Sequence, residues 1–166
     1  GQVCRRSGHL MIRKAQPADY EKLTRLWLES SLLAHAFMDA AYWKKMQSTV
    51  RDYYLPNTET YVFEDRHRIK GFISLCENNY IGALFIAPQH QNQRIGTKLL
   101  EYSRRKRPNL SLRVFVKNGK ALRFYQKSGF KIISEQTDVS TGEIELVMSW
   151  GMGCKSGFFK RRQGDS

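Results

Sequence analysis

Two short stretches of this chain carry residue types that do chemistry. The first is Gln91-Asn92-Gln93-Arg94-Ile95-Gly96-Thr97, which follows an apolar run from Ile81 to Ala87 and Pro88. Behind it, Lys98 to Tyr102 reads as helix. A strand feeding a loop at a helix start leaves backbone N–H groups aimed at one place, at the positive end of the helix dipole. Such a place holds an anion. The second stretch runs from Asn118 to Phe130 and reads as a helix carrying a phenol, Tyr125. Asn118 is a good N-cap for that helix. A phenol is acidic enough to donate a proton and remains protonated at neutral pH.

Other elements must hold these two stretches in place. Ile12–Ala15 reads as a strand, and Pro17 opens a helix with Asp19 and Glu21 near its positive end. Leu23, Leu26, Trp27, Ser30 and Leu33 follow the spacing of a buried helical face. A loop around His35-Ala36-Phe37 leads to a second helix over Asp39–Tyr54, ended by Pro56. Thr60–Glu64 and Ile69–Cys76 read as strands joined by the polar turn Asp65–Arg68, and Asn78-Asn79 signals a hairpin into Tyr80–Ala87. Leu110–Val116 is a strand, Asn118–Ser128 a helix, and Lys131–Thr137 and Ile144–Trp150 the last strands. Strands mixed with four helices, without strict alternation, predict an α/β or α+β three-layer sandwich around a mixed, mostly antiparallel sheet of about seven strands.

The composition bounds the reading. A chain of 166 residues with 41% apolar residues can bury one sizeable core, and no apolar run is long enough to span a membrane. Cys4, Cys76 and Cys154 are odd in number and not spaced like metal ligands, which predicts a reducing, cytoplasmic setting and no metal. The net charge is +13; Arg5 and Arg6 bring +2 and the last sixteen residues +3, leaving +8 for residues 11–150. A basic body attracts nucleic acid or a polyphosphate ligand equally well. Residues 1–10 read as an expression remnant or disordered lead, 11–150 as the domain, and 151–166 as a frayed basic tail with Phe158-Phe159.

In order and spacing, these features resemble the GNAT superfamily of acetyl-CoA-dependent N-acetyltransferases. WLESSLLAHAF and LFIAPQHQNQRIG are further similar to small enterobacterial members of the YjaB/YiaC type. The resemblance spans Met11 to Trp150. It implies that acetyl-CoA is the cofactor and that Gln91, Asn92, Gln93, Arg94, Ile95, Gly96 and Thr97 bind its pyrophosphate. The family usually has glycine where Arg94 stands. A side chain there is tolerable if φ is negative and strained if φ is positive, and a guanidinium could add a phosphate contact.

The resemblance also implies that the backbone of Leu84, Phe85 and Ile86 pairs with the pantetheine arm while the strand from Leu110 splays away. Asn118 would contact cofactor or amine. Tyr125 would give its proton to the departing thiolate, with Phe124 facing the core. The incoming ammonium must lose a proton, and Glu77 or His35 are the candidate bases. Phe37 and Tyr80, with Asp39 and Trp43, are candidate walls for an amine acceptor. Few carboxylates border that region, which favours a peptide or protein amine over a polycation. No specific nucleic acid or membrane is implied, and the chain would act as a monomer or homodimer. A non-catalytic acyl-CoA-binding module and a small basic RNA-binding protein are the competing readings.

Overall fold

The computed structural model describes residues 10–151. The expected lead and tail, with Cys4, Cys154 and Phe158-Phe159, lie outside the described residues, apart from Leu10 and Gly151, which extend the first and last strands. Seven strands lie among the described residues: β1 (Leu10–Lys14), β2 (Glu59–Asp65), β3 (Arg68–Cys76), β4 (Tyr80–Ile86), β5 (Asn109–Phe115), β6 (Lys131–Thr137) and β7 (Ile144–Gly151). They form one mixed sheet in the order β1-β2-β3-β4-β5-β7-β6. β1 with β2, β2 with β3, β5 with β7 and β6 with β7 are antiparallel. β4 and β5 are parallel, with the register Tyr80↔Ser111. The helices are α1 (Tyr20–Ala34), α2 (Ala40–Lys45), α3 (Ile95–Lys106) and α4 (Gly119–Lys127). None of the described helices is long and apolar enough to cross a membrane.

The described residues divide into two compact units, 10–76 with 81–103, and 77–80 with 104–151. In the first, a short 3-10 turn, Pro17–Asp19, precedes α1. Asp19 accepts from the backbone of Gln16 and pairs at 2.8 Å with Arg13, which also reaches Glu64 at 3.0 Å. One guanidinium thus ties β1, β2 and the helix start together, and it holds the Asp19 carboxyl below its ordinary pKa. α1 buries Leu23, Thr24, Leu26, Trp27, Ser30 and Ser31. Leu33 does not join them: it is 67% exposed. At 3.6 residues per turn the stripe through Leu26 and Trp27 continues to Ser30 and Ser31, and Leu33 falls beyond its edge.

The helix expected over Asp39–Tyr54 is broken. α2 ends at Lys45, a single turn covers Gln47–Thr49, and Val50–Tyr54 forms a π-type turn. There the Leu55 N–H reaches back to the Val50 carbonyl at 2.9 Å. Gly71–Leu75 of β3 is buried without alternation, as expected of a strand covered on both faces. The turn into β4 has φ of 60° at Asn78 and 57° at Asn79, the left-handed pair that suits a two-residue hairpin loop.

α3 packs through Ile95, Leu99 and Leu100, each at most 3% exposed, and each such side chain contributes about 1.5–3 kcal/mol. Gly71 lets its first turn sit close to the sheet. A Cβ at that position would lie 2.7 Å from Ile86 Cδ1, 3.0 Å from the Phe85 oxygen and 3.3 Å from Ile95 Cγ2.

Candidate active site

The loop that opens α3 is built from β4 outward. Pro88–His90 forms a 3-10 turn, Gln91 is extended, and the chain then turns through two left-handed residues, Asn92 (φ 65°) and Arg94 (φ 63°). The Arg94 carbonyl accepts the Lys98 N–H at 3.0 Å, which makes Arg94 the residue that starts the helix. Ile95 is buried against Gly71, so its side chain faces the core. The amides of Ile95, Gly96 and Thr97 belong to a first turn, which has no intrahelical acceptor. Of the two cases for Arg94, the strained one holds: φ is positive, the conformation for which glycine is the ordinary choice. Its side chain is exposed. His90, one residue before the loop, has its pKa lowered chiefly by burial and further by the charges of Lys70 and Arg68, with Asp65 opposing.

The middle of β4 alternates, with Ile81 and Ala83 buried and Tyr80, Gly82 and Leu84 on the other face. Leu84, Phe85 and Ile86 are all half-buried. At the α1–α2 corner, His35 is buried, stacked on Trp43 at 4.7 Å and edge-on to Phe37 at 5.8 Å. Burial lowers the imidazole pKa to about 4, partly opposed by a bond with the Ser31 backbone, so the ring is neutral at pH 7. Asp39 accepts from Ala41 N at 3.0 Å as the cap of α2, and Trp43 is core at 8% exposure.

In the second unit, Asn118 caps α4 by accepting from Ala121 N at 3.3 Å. The far end of α4 closes on Gly129 (φ 92°), whose N–H bonds the Gln126 carbonyl, while the Phe130 N–H bonds the Tyr125 carbonyl at 3.0 Å. This pair of bonds is a Schellman cap, whose usual apolar contact is here Tyr125 edge-on to Phe130 at 5.6 Å. Arg104 fastens the same end, donating to the Ser128 carbonyl and lying over the Trp150 ring at 4.5 Å. Tyr125 is therefore the buried member of its pair, and Phe124, expected in the core, is only half-buried. The cap decides this, because it draws position 125 towards Phe130. Burial, with a further contribution from Tyr80, raises the Tyr125 pKa above its ordinary value and keeps the phenol protonated. Arg113 lies 5.9 Å over the Tyr80 ring. Glu77 is exposed in the Glu77–Asn79 turn. Among the described residues no group of three or more His, Cys, Asp or Glu is placed to hold a metal.

Sequence reasoning missed one cluster. Tyr54 Oη lies 3.6 Å from Cys76 Sγ, and a Cβ built on Gly82 would fall 1.7 Å from that phenol oxygen. The only signal in the sequence is a glycine inside an apolar strand.

A family model described as an acetyltransferase (GNAT) domain matches residues 18–148. The chain is 37% identical over 140 residues to the peptidyl-lysine N-acetyltransferase YiaC of Escherichia coli K12, covering 84% of this chain and 96% of that protein. It is 34% identical to the peptidyl-lysine N-acetyltransferase YjaB of Salmonella typhimurium LT2, covering 73% of this chain and 83% of that one. The solution structure of apo YjaB from Escherichia coli superposes with a TM-score of 0.76 at 28% identity, covering 87% and 99% of the two chains. A PaiA N-acetyltransferase from Thermoplasma acidophilum, crystallised with coenzyme A, shares the fold at a TM-score of 0.72 and 23% identity over 86% and 98%. The chain belongs to the GNAT acetyltransferase family. It is an acetyl-CoA-dependent N-acetyltransferase with an amine acceptor.

Proposed function

We propose that this enzyme acetylates the side-chain amine of lysine in a protein or peptide, by direct attack within a ternary complex in the bacterial cytoplasm. The observation that carries the acceptor is the 37% identity, over nearly the whole length of the relative, to a peptidyl-lysine N-acetyltransferase. Acetyl-CoA supplies an activated acyl thioester. The residues of this chain do the rest.

The amides of Ile95, Gly96 and Thr97 receive the pyrophosphate at the helix start, flanked by Gln91, Asn92 and Gln93, and the Arg94 guanidinium adds a charge-assisted bond. The backbone of Leu84, Phe85 and Ile86 runs beside the pantetheine arm as a neighbouring strand would. Asn118 uses its carbonyl oxygen on the helix cap, and its amide NH₂ is a donor for the cofactor arm. Tyr125, protonated and fixed by the cap behind it, gives its proton to the departing CoA sulfur. Glu77 sits where water reaches it and takes the ammonium proton through that water. His35, neutral and stacked, lines the acceptor region together with Phe37, and Tyr80 is a further candidate contact for the acceptor; a ring with a pKa of about 4 is poorly matched to base catalysis near neutrality. Incubation of the protein with acetyl-CoA and a panel of lysine peptides, free N-termini and polyamines tests the reading. Acetyl transfer to the lysine Nζ supports it, and transfer confined to the small amines overturns the peptide assignment.

A further inference from the structure

We propose that Tyr54 is a positioning residue for the acceptor, its phenol oxygen receiving an N–H of the incoming amine above Gly82 of β4. The inference rests on the lysine reading above. Four observations converge on it. β4 is the fourth of seven strands, yet Gly82 in its interior is exposed, while its neighbours Ile81 and Ala83 are only 4% and 8% exposed on the opposite face. The exposed part of Gly82 is its backbone beside the space a side chain would take, and glycine inside a strand often marks a close approach. The space a side chain would take at Gly82 is claimed by the phenol: a Cβ there would stand 1.7 Å from Tyr54 Oη and 2.8 Å from Cys76 Sγ. The tyrosine is delivered by a π-type turn, Val50–Tyr54, a distortion frequent at functional sites because it re-aims one side chain. Lastly, Cys76 Sγ lies 3.6 Å from the hydroxyl, a weak contact in which either atom can donate and which keeps the oxygen on the Gly82 side of the ring.

The chemistry follows from the donor inventory. A phenol oxygen has one donor and two acceptor sites. Turned to Cys76 with one of them, it accepts an N–H of the amine with another. That contact fixes where the nitrogen sits and so where its lone pair points. No bond is made to Tyr54 and no proton stays on it, so the residue acts on acceptor binding and orientation.

Steady-state kinetics with a lysine peptide test the proposal, using Tyr54→Phe and Gly82→Ala, each checked by thermal melt. Tyr54→Phe is expected to raise KM for the peptide about tenfold, the value of one hydrogen bond to a charged or strongly polar group, while KM for acetyl-CoA stays unchanged. Gly82→Ala, which must push the phenol aside, is expected to give the same selective rise. A Tyr54→Phe enzyme with wild-type KM for the peptide overturns the proposal. So does a parallel loss in both KM values together with a lowered Tm, which is what a packing role would produce. Should Tyr54→Phe fold poorly, a wild-type peptide KM in Gly82→Ala overturns it on its own. A wild-type enzyme that acetylates no lysine peptide at all sinks the lysine reading first, which separates that failure from this one.

Discussion

Replacing Tyr125 with phenylalanine separates its proton from its packing. The ring contacts with Phe130 and Phe124 remain, so melting temperature and acetyl-CoA affinity should barely move. Turnover should fall by roughly 10²–10⁴, the usual contribution of a positioned acid. Wild-type kcat in that variant would remove Tyr125 from the chemistry. Arg94 is the other residue whose surroundings make a sharp statement. A non-glycine side chain at φ 63° costs about 1 kcal/mol, and strain of this kind persists where it serves a site. Arg94→Gly should therefore raise Tm slightly while weakening acetyl-CoA binding, with the loss shrinking as salt is added. Equal or tighter binding by the glycine variant at low salt would show that the guanidinium meets no phosphate.

Among the elements, α4 depends on how it ends. At Gly129, φ is 92°, and an added Cβ would meet Trp150 Cδ1 at an ordinary 3.5 Å, so the cost of Gly129→Ala is conformational. A loss of about 1–2 kcal/mol is expected by denaturant titration, with reduced turnover because the same cap seats Tyr125. Unchanged stability would mean the cap relaxes without harm. The corner between α1 and α2 carries a pH signature. The folded pKa of His35, about 4, lies below its ordinary 6.5. Between those values the unfolded chain binds a proton that the folded chain refuses, so stability should fall as pH drops from 6.5 towards 4, by about 2–3 kcal/mol in all. His35→Phe keeps the stack on Trp43 and should flatten that slope. An identical slope in the variant would assign it to other groups.

At the scale of the whole molecule, the succession of strands and helices along the chain, the Asn78-Asn79 hairpin and the helix-start loop were legible, because local patterns determine them. Alternation, turn residues and caps act over a few positions. What escaped the sequence is set by distant parts of the chain. The left-handed backbone of Arg94 follows from how the loop closes onto α3, and nothing in an arginine announces it. Leu33 fits the helical repeat by type and misses the buried stripe by angle. The break at Met46 and the π-type turn that aims Tyr54 at Gly82 become visible only once β3 and β4 lie beneath it. The central claim, acetyl transfer from acetyl-CoA to lysine, is tested most directly by mass spectrometry of a lysine peptide incubated with the enzyme and acetyl-CoA. One acetyl group on the lysine Nζ, formed at a rate that collapses in Tyr125→Phe, is the predicted result. A peptide that stays unmodified while wild-type protein binds acetyl-CoA would contradict it.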